Sequence, residues 1–498
     1  MATGELSARA ARRVELDAVR ERDWRLLVGG ELRTAEDGRT FAEIDPFTTE
    51  VLANVPDATG ADVDAAVEAA DLALRTWRKL PVLQRAEYVY EFARVVEENG
   101  EELAFLDMVC TGSPISNARF DVKIAVEQIR MYANFALEMK GQTIPASTGL
   151  HYSIRQPVGI VAKIFPYNHP LMFSCRFAAP LVAGCTVVVK PPETAPLSAL
   201  RLGELVKDVF PPGVVNVVVG DGPDVPDRLV RHPKVRRIGF IGSEPTGRAI
   251  QKAAAESGVK HVTLELGGKN AMVVFEDADL DKAAVGAVNG MNFTWSGQSC
   301  GSNSRLLVQR TVADELTAKV TELVRARRIG DPMEEDSQQG TMINKAQYEK
   351  SLRYIGIAED EGASIVLGGG RPEGPEFERG YFVAATVLTD VAPDMRIAQE
   401  EVFGPVLSII PFDTEDEAIT IANGVEYGLT ASVWTRDIER ALRVVDEFEA
   451  GYVWVNHSAS HFPGSPYGGV KGSGVGGKEE CLEELLSYTE EKVVNVVY

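Results

Sequence analysis

Four near-continuous apolar runs, at residues 158–164, 186–189, 214–219 and 237–241, constrain this chain more than any other feature, because helical stretches at 171–182 and 197–210 separate the first three. A strand without polar alternation is buried on both faces, so strands of this kind alternating with helices predict a parallel sheet covered on each side. Ligands of such sheets bind beyond the carboxyl ends of the strands, which directs attention to the loops after Ile164, Val189, Val219 and Ile241. A second run of the same kind begins at residues 270–275 and continues towards Asn456, with residues 264–269 as the hinge between the two. At about 150 residues per domain, 498 residues predict two to four domains, and with no long linker or internal repeat they are expected to pack around a cleft.

The flanks read as support. Residues 1 to about 24 alternate Arg with Asp and Glu, as in a solvated helix or a frayed extension; a short strand at 25–28 and amphipathic helices at 62–78 and 83–98 then form a scaffold. An extended piece at 154–158 precedes the first apolar strand, and the tail from Gly468 passes through a Gly-rich stretch and a short helix to a strand-like run at 493–497. An apolar strand at a chain end is an open edge, for which a neighbouring subunit is the natural partner.

Charge and cysteine content narrow the function. A net charge of −22 without a basic cluster excludes nucleic acid as a partner. Five cysteines, an odd number with no CxxC pair, fit reduced thiols, and no metal site is expected. The first residues contain no apolar run, so a cytoplasmic location is expected. The most apolar stretch, 171–189, is broken by Arg176, Pro180 and Gly184, which excludes a membrane span.

Five motifs have chemical potential. Cys300 lies in Gly297-Gln298-Ser299-Cys300-Gly301, where little bulk shields the sulfur; this suits a nucleophile, although a small buried thiol has the same sequence. Asn168, between Pro166 and Pro170, offers two amide donors for an oxyanion or caps the following helix. Lys190 and Glu193 at a strand end suit the hydroxyls of an adenosine ribose, or form a surface ion pair. Gly220-Asp221-Gly222 is a weak glycine fingerprint that lacks the last glycine. Gly242 and Ser243 open a helix whose free N–H groups suit a pyrophosphate, or they form an ordinary N-cap.

In order and spacing, Asn168, Lys190 with Glu193, Gly242-Ser243, residues 264–269, 297–300, 400–405 and 466–471 resemble the NAD(P)-dependent aldehyde dehydrogenase superfamily of the hydrolytic type, over nearly the whole chain after about residue 24. The resemblance implies an α/β fold: a Rossmann-type parallel-sheet domain for NAD at 24–142 and 162–268, a second α/β catalytic domain at 269–476, and a small β oligomerisation element at 143–161 and 477–498, after an N-terminal extension at 1–23. It implies a homodimer or homotetramer acting on a small-molecule aldehyde. Cys300 matches the nucleophile, Glu265 the general base, and Asn168 with the Cys300 N–H the oxyanion hole. Lys190, Glu193, Gly242, Ser243, Gly267, Glu401 and Phe403 match the cofactor contacts. A carboxylate at Glu193 would face the extra phosphate of NADP, and two like charges at about 4 Å cost about 1 kcal/mol in water and about 4 at a dielectric of about 20, so NAD is expected over NADP. Lys190 offsets part of this.

Departures from the family pattern concern the substrate. His169 follows the oxyanion Asn where an aromatic is common, Tyr167 precedes it where Trp is common, and Ser302-Asn303-Ser304 is not the commonest continuation after Gly301. His169 is a substrate contact or a histidine satisfied by its own loop. Arg176 reads a carboxylate at the substrate's far end or pairs with an internal acid, and Phe173 and Tyr467 line an apolar or aromatic pocket. Three alternatives compete: release of the thioester to coenzyme A, against which Glu265 argues; a non-catalytic protein on this fold, against which Cys300 and Glu265 together argue; and a thiol hydrolase using His457 or His461, which lie in no recognisable motif.

Overall fold

The computed structural model describes residues 15–498, so the N-terminal extension read at 1–23 lies outside the described residues up to position 14. The expected parallel sheet is the centre of the first half. Its eight strands run in the order Glu31–Arg33, Leu26–Val28, Val215–Val217, Thr186–Lys190, Ile160–Ile164, Val235–Ile241, His261–Glu265 and Gly474–Val475. The middle five pair in parallel and the edges antiparallel. Ile160–Ile164 and Thr186–Lys190 are buried at every residue, as their lack of alternation requires.

After the edge strands Leu26–Val28 and Glu31–Arg33, the chain starts the parallel part of this sheet at Ile160–Ile164, builds outward through Thr186–Lys190 to Val215–Val217, and returns to continue on the other side with Val235–Ile241. The reversal between Ile164 and Ile241 is the switch point at which a doubly wound sheet opens a ligand crevice.

The second sheet has seven strands, in the order Ser364–Leu367, Thr386–Thr389, Val406–Phe412, Arg305–Gln309, Ala271–Val274, Thr430–Trp434 and Tyr452–Val455, all parallel except the first pair. Ala271 and Val273 face one hydrophobic core while Met272 and Val274 face another, so this sheet also carries apolar layers on both sides. Residues 266–270 join the carboxyl end of His261–Glu265 to the amino end of Ala271–Val274 without a turn back. The carboxyl edge of one sheet therefore abuts the amino edge of the other. The rule that ligands sit at carboxyl ends holds for the first sheet only; the second contributes its amino edge.

Two expectations need correction. The helix expected over 171–182 is two helices, Pro170–Ser174 and Ala178–Ala183. A continuous helix would press the Pro180 ring against the carbonyl of Arg176, four residues back, and leave that carbonyl without a donor; restarting at Ala178 puts the proline in a first turn, where it is tolerated. The terminal strand is not left for a neighbour to pair with along both sides. It extends over Thr489–Val497 and pairs antiparallel with Gly149–Pro157 of the same chain, which pairs in turn with Thr143–Ala146. Only its outer edge lacks a strand neighbour among the described residues.

One buried cation fastens the second sheet to the hinge. Arg305 is 2% exposed and donates to three carbonyls, those of Lys269, Ile421 and Ala422, with no carboxylate partner; burial lowers its pKa to about 9. Replacing Arg305 with Leu strands these carbonyls, each worth about 1–3 kcal/mol, while removing a desolvated charge offsets part of the loss. The expected net cost is about 2–4 kcal/mol, read as a melting temperature several degrees below wild type.

Candidate active site

Two cavities meet at Cys300. The first, of about 670 Å³, lies at the switch point and is lined by Ile164, Asn168, Lys190, Glu193, Gly242 and Ser243, with Glu401 and Phe403 closing it from the second sheet. The second, of about 510 Å³, runs away from the sulfur between Phe173, Trp295, Trp454, His461 and Tyr467. Both lie within the range of about 300–1,000 Å³ usual for small-molecule sites. Cys300 is the only one of the five cysteines not fully buried, and all five are free.

The turn that carries the thiol is held by close backbone approach. Gly297 has φ 68°, and a β-carbon there would lie 2.2 Å from the Gly404 carbonyl oxygen, so only glycine fits. Asn270 donates to the carbonyls of Cys300, at 2.7 Å, and Ser302, at 3.0 Å. Burial, followed by the charges of Glu401 and Glu265, pushes the Cys300 thiol up to about 12, and Tyr467 and Arg176 pull the other way.

Glu265 ends its strand beside the second cavity. One carboxylate oxygen accepts the Gly469 N–H at 3.3 Å, and the other is buried without a partner. Burial, then the charge of Glu479, holds its pKa well above the usual carboxylate range. Asn168 is buried on the wall of the first cavity. It does not cap the following helix, whose N-cap is His169 without a side-chain cap bond.

The cofactor-type residues converge as well. Lys190 pairs with Glu193 at 2.5 Å, with the lysine buried instead of on the surface, and both residues line the first cavity. The helix Glu244–Ser257 starts at the first cavity; its N-cap, Ser243, makes no cap bond and meets the Thr246 hydroxyl at 2.9 Å, leaving first-turn N–H groups for an anionic ligand. Gly222 of the weak glycine fingerprint also reaches this cavity. Glu401 accepts the Gly268 N–H at 2.9 Å, and a β-carbon on Gly267 would come within 2.4 Å of its carboxylate. Phe403 takes φ 58°, with Gln347 donating to its carbonyl at 2.7 Å and to that of Val402 at 2.9 Å. The lining fits a dinucleotide: a carboxylate for a ribose at each end and a helix N-terminus between them.

The substrate-side residues fall out differently. His169 is satisfied by Asp121 of the helix Ile115–Asn134, at 2.8 Å, and not by its own loop. Phe173 and Tyr467 line the second cavity. Arg176 lines it too, but its Nη1 donates to Glu479 and its Nη2 to Glu480, the latter at 2.5 Å. Although burial works against its charge, Arg176 and His461 hold Glu480 down to about 2. The geometry therefore supports the internal pairing of Arg176, not a carboxylate reader. Asp121, Glu479, Glu480, Asn270 and Gln347 were not singled out from the sequence. The adjacent carboxylates just after residues 466–471 were the available signal for the pair at 479 and 480. Among the described residues no histidine bonds to Cys300; His457 is bonded to Ser458 and His461 to Glu480.

A doubly wound sheet whose crevice ends on a thiol shared with a second pocket defines an α/β enzyme of the dinucleotide-dependent class. The aldehyde dehydrogenase family model matches residues 33–494. The chain is 42% identical to aldehyde dehydrogenase tropH of Talaromyces stipitatus, covering 95% of this chain and 93% of that one. It is 40% identical to aminoaldehyde dehydrogenase 2, peroxisomal, of Pisum sativum, over 93% and 94% of the two chains. The NAD⁺ complex of an aldehyde dehydrogenase from Bacillus cereus matches with a TM-score of 0.93 and 39% identity, over 97% of this chain and 98% of that chain. The chain belongs to the aldehyde dehydrogenase family, and it is an oxidoreductase that uses NAD to convert an aldehyde to the carboxylic acid.

Removing Arg176 leaves two buried carboxylates without their counter-charge, a loss of about 3–5 kcal/mol. Arg176→Ala is expected to lower the melting temperature while leaving the ratio of kcat/KM for a carboxylated and an uncharged aldehyde of equal length unchanged. A selective loss of the carboxylated substrate would restore the reader role.

Proposed function

We propose that Cys300 is the nucleophile, Glu265 the general base, and Asn168 with the Cys300 N–H the oxyanion hole. The observation that carries this reading is the position of Cys300 at the meeting of two cavities, one lined by the dinucleotide-type loops and the other by aromatic side chains. The thiolate adds to the aldehyde carbon, and the amide of Asn168 and the backbone N–H take the charge that develops on oxygen. NAD, when bound, supplies the hydride acceptor, and the acyl group then remains on sulfur as a thioester. The raised proton affinity of Glu265 suits a group that takes a proton from water, and the hydroxide so formed releases the carboxylate. Lys190, Glu193, Gly242, Ser243, Gly267, Glu401 and Phe403 hold the cofactor.

The substrate we infer is an uncharged aldehyde with an apolar or aromatic body. Phe173, Trp295 and Trp454 supply the walls, and several charged groups among them are engaged with each other, Arg176 with Glu479 and Glu480, His169 with Asp121 and His461 with Glu480, while Arg327 donates to the Gln338 carbonyl. The spans 24–142 with 162–268, 269–476, and 143–161 with 477–498 serve as NAD-binding domain, catalytic domain and oligomerisation element. Support for a homodimer or homotetramer comes from the open edge of Thr489–Val497, where Val493 is 62% and Val497 76% exposed. Five free cysteines support a reducing compartment such as the cytoplasm.

Two substitutions test the mechanism. Cys300→Ala is expected to abolish aldehyde oxidation while NAD binding, followed by fluorescence titration, survives. Glu265→Gln is expected to give a burst of NADH followed by slow turnover, because the base acts after the first product has formed. Absence of both a burst and a trappable acyl-enzyme would assign Glu265 another role.

A further inference from the structure

We propose that the Tyr467 hydroxyl is a catalytic hydrogen-bond donor to the Cys300 sulfur, stabilising the thiolate, and that the residue is more than an aromatic wall of the substrate cavity. The proposal rests on Cys300 being the nucleophile. Tyr467 is 7% exposed and lines the same cavity as Cys300. A β-carbon built on Gly301 would lie 3.3 Å from the Tyr467 hydroxyl oxygen, so this oxygen rests against the turn that presents the sulfur.

The ring has little freedom to leave this position. The Tyr467 N–H donates to the Glu479 carbonyl at 2.9 Å, and the Tyr467 carbonyl accepts from the Glu479 N–H at 2.7 Å. The ring stacks on His461 with centroids 4.2 Å apart and an interplanar angle of 25°, and Tyr452 packs on it at 5.5 Å. His461 is fixed in turn by Glu480, at 3.0 Å, and Glu480 by Arg176, at 2.5 Å. Glu480 holds φ 61°, which is unfavourable for a residue with a side chain and persists only where its surroundings impose it. A hydroxyl delivered by this chain of contacts is preorganised.

The sulfur needs such a donor. Burial and the carboxylates of Glu401 and Glu265 disfavour its charged form, and of the two groups that oppose them, Arg176 is already neutralised by Glu479 and Glu480. A hydrogen bond to the charged form favours it without bringing a second charge into the cavity. Burial and the facing groups Cys300, Glu480 and Glu265 hold the phenol pKa well above its ordinary value, so the hydroxyl keeps the proton it would donate to the thiolate.

The test is Tyr467→Phe, which keeps the ring and its stack on His461. The rate of Cys300 alkylation by iodoacetamide is followed between about pH 7 and 10 in the full-length protein, with the labelled cysteine identified by peptide mass. The expected result is a rate–pH line displaced upward by about one pH unit, hence about tenfold slower alkylation at fixed pH, with a similar loss of kcat/KM that shrinks as pH rises. The melting temperature stays near wild type. An undisplaced line overturns the proposal, as does a loss of kcat/KM that does not change with pH. Cys300→Ala run in parallel separates the two readings: turnover by that variant sinks the nucleophile assignment itself, whereas its inactivity beside an undisplaced Tyr467→Phe line sinks only the role of Tyr467.

Discussion

Asn270 ties the molecule together at the point where its two sheets meet. Its amide nitrogen binds the carbonyls of Cys300 and Ser302, and its carbonyl oxygen accepts the Thr430 N–H at 3.0 Å. It also ends the connection from Glu265 to Ala271, so one side chain fixes the thiol turn, the neighbouring strand and the hinge relative to each other. Unpaired buried amides and carbonyls are costly, and Asn270 satisfies two carbonyls and one N–H at this junction that a shift of either sheet would strand.

The buried charges form the second layer of control. Arg176 with Glu479 and Glu480, and Lys163 with Glu484 at 3.6 Å, lie in the region where the tail crosses the first sheet. Pairs of this kind add little to net stability compared with apolar packing, but breaking one is expensive, so they specify a single arrangement of the tail. The interruption of the helix at residues 175–177 is what releases Arg176 from a regular helical direction and lets both Nη groups meet acids.

Much of this was legible before any coordinates. The strands at Ile160–Ile164 and Thr186–Lys190 were readable because burial on both faces removes every polar alternation, and the loops after them because ligands of such a sheet bind beyond the carboxyl ends of its strands, although each loop residue also had an ordinary capping or ion-pair reading. The broken helix was less legible, although Pro180 and its clash four residues back carried the information. The partner of His169 and those of Arg176 were not legible at all. Asp121 lies 48 positions away and Glu479 303, and nothing local in the sequence says which surfaces the tail returns to. The position of the Tyr467 hydroxyl was hidden for the same reason: as a residue type it reads as an aromatic wall, and only the fold sets its oxygen beside Gly301.

The pairing of Arg176 with the tail has a consequence for biosynthesis. The guanidinium is translated 303 residues before Glu479, so while the first sheet assembles on the ribosome its pocket holds a cation with no acid to meet. Domains emerge and fold from the N-terminus, and a desolvated lone cation would oppose closure around it. The pocket is therefore expected to stay hydrated until Glu479 and Glu480 arrive. Closure of the pocket around Arg176 is thus coupled to synthesis of Glu479 and Glu480, and a chain that stops before them is expected to keep an open, wet pocket.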